Sequence, residues 1–287
     1  MKSRRISTIE VAGDTLFYKV TGEGTPLLLI AGGGGDGDLY LPLADALADS
    51  FMIITYDRRA NARSSMNHPD QFSVFQQAED AVAILDAVGV QDAYVFGNSS
   101  GAVIALEMVR RFPERVKGVI AHEPPLAKVH PEADKWRRFF KSCYQASFGR
   151  GGASWAASKF LFGIEVPVWQ MISAQLSAQK YVKQEQSQRD DERIPSKQAT
   201  QYLICQELLP VTEYELDFDC FLEITKPVVI AVGTYAQQHN TFLYQIGEQL
   251  CNRLNRTCAL LPGHHGSFMD DAVNWAVEIV KIIEKMG

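Results

Sequence analysis

The chain has 287 residues, 46% of them apolar and 22% charged, which suits a globular protein with a sizeable core and excludes disordered, collagenous and fibrous classes. Against 34 Asp and Glu there are 28 Lys and Arg, a net charge of −6, so no broad cationic face exists to neutralise phosphates and nucleic acid is not expected as a partner. This length admits two small domains or one α/β domain with an insertion, and the order of elements favours the second.

At the start, Lys2, Arg4 and Arg5 resemble the opening of a signal peptide, but Ser7, Thr8, Glu10 and Asp14 interrupt the apolar stretch it would need. Ser7 to Val20, broken at Gly13-Asp14, reads as an antiparallel hairpin. From Leu27 to Val119 short β-branched and leucine-rich runs alternate with helical patterns, which predicts a mainly parallel sheet covered on both faces. The predicted central strands are Pro26 to Ala31, Met52 to Tyr56, Ala93 to Phe96, Val116 to Ala121, Pro227 to Val232 and Thr257 to Leu261. Helical periodicity fits Leu39 to Ala48, Phe72 to Val88, Ala102 to Arg111, Thr241 to Leu254 and Asp270 to Lys285.

The alternation stops from Leu126 to about Phe221, where helical stretches are separated by Gly149-Arg150-Gly151-Gly152, by Pro167 and by the polar run Lys183 to Gln198. A stretch that long is no ordinary loop, and the strand pattern resumes after it. The expectation is a core of residues 1–125 and 222–287 with a helical cap of residues 126–221 over the carboxyl edge of the sheet. The longest apolar runs, such as Leu27 to Ala31 and Val228 to Val232, fall far short of the roughly 20 residues that span a bilayer. No membrane association and a cytoplasmic location are expected. Five scattered cysteines (Cys143, Cys205, Cys220, Cys251, Cys258) form no Cys-x-x-Cys pair and read as thiols, not as a zinc site or a disulfide framework.

Gly97-Asn98-Ser99-Ser100-Gly101 fits Gly-x-Ser-x-Gly, a weak signal by itself. Its setting between a predicted strand and a predicted helix is the one a nucleophile elbow needs, which makes Ser99 the candidate nucleophile; a helix N-cap serine is the alternative. A serine hydroxyl needs a base, and His264 and His265 follow the last predicted strand at the edge where ligands bind in open α/β sheets. One of that pair is expected to be the base. His68, His130 and His239 lie in loops with no such positional reason.

The acid that orients the base commonly follows the strand that is here Pro227 to Val232, yet no Asp or Glu occurs from Ile224 through Gly247, and Ala236 stands where it would be expected. Glu123 in His122-Glu123-Pro124-Pro125 is the candidate instead, ahead of Asp217 and Asp219, because the prolines stiffen the strand end that carries it. An oxyanion needs two backbone donors: Ser100 at the start of a helix supplies one, and the run Gly32-Gly33-Gly34-Gly35 supplies the other, with Gly33 preferred and Gly34 next to it at the substrate. Neither a phosphate loop nor a dinucleotide loop fits those glycines.

Together the glycine loop, the stretch Tyr56 to Ser65, the elbow and the final Leu261-Pro262-Gly263-His264-His265 resemble the α/β-hydrolase superfamily over nearly the whole length. Within it, His-Glu-x-Pro after the earlier strand, Gly-x-Ser-Ser-Gly-Ala and Leu-Leu-Pro-Gly-x are similar to the zearalenone lactonase-like hydrolases. Gly32 replaces a common histidine, and Ala60 and Ala62 replace usual glycines. The resemblance implies an α/β-hydrolase fold with an inserted helical cap, a triad of Ser99, Glu123 and His265, and Gly33 and Ser100 as oxyanion donors. It also implies hydrolysis of an ester or lactone through an acyl-enzyme with no metal or organic cofactor. Rival readings are a C–C hydrolase, an aminopeptidase or a non-catalytic ligand sensor. The cap aromatics, Trp136, Trp155 and Trp169 foremost, would suit a small hydrophobic substrate or else form the cap's own core. Oligomeric state is left open, a homodimer being admissible.

Overall fold

A computed structural model of the chain describes residues 2–185, 193–256 and 258–287, residue 185 by its backbone alone. Part of the polar run Lys183 to Gln198 and Thr257, the predicted first residue of the last strand, therefore lie outside the described residues. Strands β1 (Arg4–Val11) and β2 (Asp14–Thr21) form the expected hairpin. They are followed by β3 (Thr25–Ile30), α1 (Leu41–Leu47), β4 (Phe51–Tyr56), α2 (Val74–Val88), β5 (Ala93–Asn98), α3 (Ser100–Arg111) and β6 (Val116–His122). Between β6 and the next strand come α4 (Ala133–Ala146), α5 (Gly152–Gly163), α6 (Val168–Glu185), α7 (Ser196–Tyr202), α8 (Leu208–Thr212) and α9 (Phe218–Glu223). The chain closes with β7 (Val228–Gly233), α10 (Thr234–Gln238), α11 (Phe242–Arg253), β8 (Ala259–Leu261) and α12 (Ala272–Glu284).

All eight strands join one sheet in the order β1-β2-β4-β3-β5-β6-β7-β8. From β4 through β8 every pairing is parallel, and β1 and β2 are attached antiparallel. The predicted strands are apolar at nearly every position because both faces are buried. Leu28 and Ile30 of β3, Ile54 of β4, Val95 of β5 and Ile230 of β7 face one core, lined by α2, α3 and α11. Leu27, Leu29, Ile53, Phe96 and Ala231 face the other, lined by α1 and α12, where Trp275 is wholly enclosed. A period of two along each strand thus divides one apolar run between two cores.

The helices between β6 and β7 extend these cores. Trp136, Phe140 and Cys143 of α4, Ala156 of α5 and Leu208 of α8 join the first, and Ala174 and Ala178 of α6 join the second. Leu203–Glu207, between α7 and α8, forms a single wide π-helical turn, a device that re-aims side chains. Ala60 and Ala62, which stand where the resemblance expects glycine, keep glycine-like φ angles of 62° and 47°.

One expectation is corrected. Cys251 and Cys258 are joined in a disulfide between the end of α11 and the start of β8, while Cys143, Cys205 and Cys220 are free. Cysteine count and spacing could not show that a helix end and an edge strand meet. Among the described residues no helix is long and apolar enough to cross a membrane.

Candidate active site

The carboxyl ends of β5, β6, β7 and β8 lie side by side, and the chain must turn sharply at each. After β5, Ser99 adopts φ 55° and ψ −120°, a conformation that β-carbon sterics disfavour and that only its surroundings can impose. Those surroundings are tight. A Cβ at Gly97 would lie 2.1 Å from the carbonyl oxygen of Gly101, and one at Gly101 would lie 2.1 Å from that of Ile30, so α3 starts in contact with β3 and β5. The Ser99 N–H donates to the His122 carbonyl at 2.9 Å, tying the turn to β6. Ser100 begins α3, where the first N–H groups lack helical partners.

After β6 the next residue, Glu123, also has a positive φ, 49°. That turn sends its side chain across to the end of β7, where the Gly233 N–H donates to Oε1 at 2.8 Å. A Cβ at Gly233 would lie 2.8 Å from the Gly263 carbonyl oxygen and 3.1 Å from the same Glu123 oxygen, so a side chain there would press on the backbone of the His265 loop first and on the carboxylate second. The carboxylate thus occupies the end of the strand whose own acid is missing. Its other oxygen, Oε2, accepts the His265 Nδ1–H at 2.5 Å. An ionised carboxylate can only accept, so Nδ1 carries the proton, and in the neutral ring this tautomer makes Nε2 the acceptor nitrogen.

His265 reaches that position on a loop pinned at several points. The Gly263 N–H donates to Thr234 Oγ1 at 2.9 Å, the Tyr235 N–H donates to the Gly263 carbonyl at 2.8 Å, and the Trp275 indole donates to the Pro262 carbonyl at 2.8 Å. His264, which the residues alone left open beside His265 and which the resemblance passed over, turns inward. It is buried, its Nδ1 accepts the Gly266 N–H at 3.1 Å, and burial pushes its pKa down. The structure therefore separates the two: His265 pairs with Glu123 and His264 shapes the loop.

Sequence reasoning missed His122, Asn98 and Gly233. The fully buried His122 ring donates from Nδ1 to Asn98 Oδ1 at 2.7 Å, lies 5.8 Å from the His265 ring, and places Nε2 at 3.7 Å from Glu123 Oε1. Burial lowers its pKa to about 4, so it is neutral near pH 7. For Glu123 burial works the other way, but the neighbouring imidazoles and the bonds from His265 and Gly233 outweigh it and bring the carboxyl down to about 2. A polar residue closing each apolar strand run, Asn98 and His122, was the available sequence signal. Donor atoms of His122, Glu123 and His265 all lie within 4.8 Å of one another, the one such group among the described residues that could share a metal ion. In the structure His265 and Glu123 spend those atoms on each other.

Gly33 lies in a turn closed by the Gly35 N–H donating to the Gly32 carbonyl at 3.0 Å. A Cβ at Gly32 would stand 3.1 Å from Ser99 Cβ, so the glycine loop abuts the serine. Leu203 of the π-helical turn covers Gly33: a Cβ there would lie 2.8 Å from Leu203 Cδ1. Gly34 has φ 85° and open space where a Cβ would be. The three tryptophans are not brought together. Trp136 is buried among His130, Phe139, Phe140 and Phe242, whereas Trp155 and Trp169 are 60% and 75% exposed, Trp155 bordering a surface depression with Arg150 and Trp169 touching Phe162. Asp217 caps α9, and its side chain accepts the Cys220 N–H.

A family model described as the alpha/beta hydrolase fold matches residues 25–272. The uncharacterized hydrolase YraK of Bacillus subtilis (strain 168) is 42% identical over 123 residues, 42% of this chain and 45% of that protein. A putative carbamate hydrolase, RutD, of Azorhizobium caulinodans is 38% identical over 104 residues, 36% of this chain and 39% of that protein. In both, the match spans less than half of the curated relative. A thermophilic esterase from Thermogutta terrifontis superposes with a TM-score of 0.71 at 18% identity, covering 100% of this chain and 99% of that one, a likeness of fold.

Proposed function

The chain belongs to the family of the α/β-hydrolase fold, and from that premise we propose that it is a serine hydrolase that cleaves a carboxylic ester or lactone through an acyl-enzyme. The observation that carries this reading is the Glu123–His265 hydrogen bond beside a serine held at positive φ on the neighbouring strand. His265 Nε2 accepts the Ser99 hydroxyl proton as Oγ bonds to the carbonyl carbon, and the resulting alkoxide rests on the N–H groups of Gly33 and Ser100. The imidazolium, stabilised by Glu123, gives its proton to the leaving alcohol oxygen as that bond breaks. Water, deprotonated by His265, then attacks the acyl carbon; the proton passes back to Ser99 and the acid is released.

In this reading the helices of residues 126–221 act as a cap, with Leu203 against the glycine loop on the substrate side. The motif resemblance to zearalenone lactonase-like hydrolases supports lactones as substrates. The relative named a putative carbamate hydrolase adds carbamates to the classes worth testing. The test is turnover on a panel of p-nitrophenyl esters, lactones, carbamates and aminoacyl amides, with Ser99→Ala as control. Ester or lactone turnover abolished in that variant is the expected result. Turnover confined to amides or C–C bonds would move the enzyme to another class, and labelling by a fluorophosphonate without turnover on any of them would favour a sensor.

A further inference from the structure

Beneath the glycine loop lies an ion pair that the proposed chemistry leaves unused. Arg58, the residue after Asp57 at the end of β4, and Glu207, at the end of the π-helical turn, both have fully buried side chains and pair through Nη2 and Oε1 at 2.7 Å. The same Nη2 donates its second proton to the Gly32 carbonyl at 2.6 Å. Arg58 Nη1 reaches Gln77 Oε1 at 3.4 Å, and the Arg58 backbone N–H donates to the Gly35 carbonyl at 2.8 Å. One residue thus grips both ends of the turn that contains Gly33. A buried pair of this kind brings a large desolvation cost and is weak as a source of stability, so its placement calls for another account.

The Gly32 carbonyl and the Gly33 N–H belong to one peptide unit. Among the described residues no peptide is cis, so the two groups point in opposite directions. Whatever fixes the carbonyl fixes the N–H. We propose that Arg58 is a positioning residue for the oxyanion donor: by holding the Gly32 carbonyl it fixes the orientation of the Gly33 N–H, and Glu207 aims the guanidinium. The positive charge on the carbonyl side also polarises the amide and strengthens its N–H as a donor. Leu203 and Glu207, the first and last residues of the π-helical turn, engage the loop from two directions, one against Gly33 and the other through Arg58. Cap and oxyanion loop are thereby coupled.

This inference rests on the reading of Ser99 as nucleophile and Gly33 as oxyanion donor. The test compares Arg58→Lys, Glu207→Gln and the double variant Arg58→Met with Glu207→Leu, which removes both buried charges and leaves neither unpaired. For each, melting temperature, kcat and KM on p-nitrophenyl butyrate, affinity for phenylboronic acid and the 1H–15N resonance of Gly33 are measured. In the double variant melting near that of the parent is expected. Its kcat should fall by a factor on the order of tens, less than removal of a whole donor causes, with KM changed by no more than about twofold. The tetrahedral boronate adduct should weaken by the same factor as kcat, and the Gly33 resonance should shift. If the double variant does not fold, Glu207→Gln and Arg58→Lys are read for the same pattern at smaller size. A folded variant with kcat, boronate affinity and Gly33 resonance all unchanged overturns the proposal. Should Ser99→Ala keep its esterase activity, the underlying reading fails instead, and the Gly33 resonance still decides whether Arg58 holds that peptide.

Discussion

At the residue scale, the proposed mechanism divides the work among three side chains from three strand ends, and each prediction about them follows from one atom. Ser99→Ala removes the only atom the mechanism attaches to the acyl group, so covalent labelling by a fluorophosphonate, followed by mass spectrometry, should disappear. Glu123→Gln keeps the shape but presents an amide where the His265 Nδ1–H now finds a carboxylate at 2.5 Å. Loss of that acceptor favours the wrong tautomer, and kcat should fall by roughly 10³ to 10⁴ with KM little changed; steady-state kinetics showing kcat intact would remove Glu123 from the proposed triad. The corresponding change at His264, whose ring bonds within its own loop, should act chiefly on stability.

At the element scale, the elbow works because α3 starts where no side chain would fit. The atom nearest a Cβ on Gly101 is a backbone oxygen of β3 at 2.1 Å, so Gly101→Ala cannot be absorbed by a rotamer change. It should cost about 3 kcal/mol or more by separating strand from helix, read as a drop in the urea midpoint. α4 shows a different dependence. Its Phe140 is fully buried against Trp136, Phe160 and Phe242, so Phe140→Ala should cost about 3 to 5 kcal/mol. Because α11 contributes Phe242 to this cluster, the helices between β6 and β7 should melt together with the rest, in one transition by calorimetry.

At the scale of the whole molecule, the buried histidine and glutamate beside the site tie stability to pH. His122 has its pKa lowered from 6.5 to about 4, so the unfolded chain binds the extra proton first. Its contribution is complete above about pH 6.5 and is lost as pH falls toward 4, at up to about 1.4 kcal/mol per pH unit. Glu123, lowered from 4.5 to about 2, adds a second loss only below about pH 4.5. Denaturation followed from pH 7 to pH 4 should show falling stability, and His122→Asn should flatten that slope; an unchanged slope would mean His122 does not set it.

Much of the fold was legible in the sequence, because two-faced burial makes every central strand an apolar run, and the hairpin and helices were bounded by Gly13-Asp14 and by clear periodicity. Ser99 was legible from Gly97 and Gly101, since those glycines report a local clash. Glu123 stood out by elimination once the segment after β7 proved free of carboxylates. What the sequence by itself determined is therefore local: periodicity, turn chemistry and the residue types a sharp bend tolerates. Only the tertiary structure decided that Gly233 anchors the carboxylate, that Cys251 meets Cys258, and that Arg58 pairs with Glu207 across 149 positions of chain; between His264 and His265 the residues alone left the choice open, and the family resemblance pointed to the one that the structure pairs with Glu123. Each of these depends on which strand ends and loops the sheet order sets side by side, and that order arises from the packing of two cores over the whole chain.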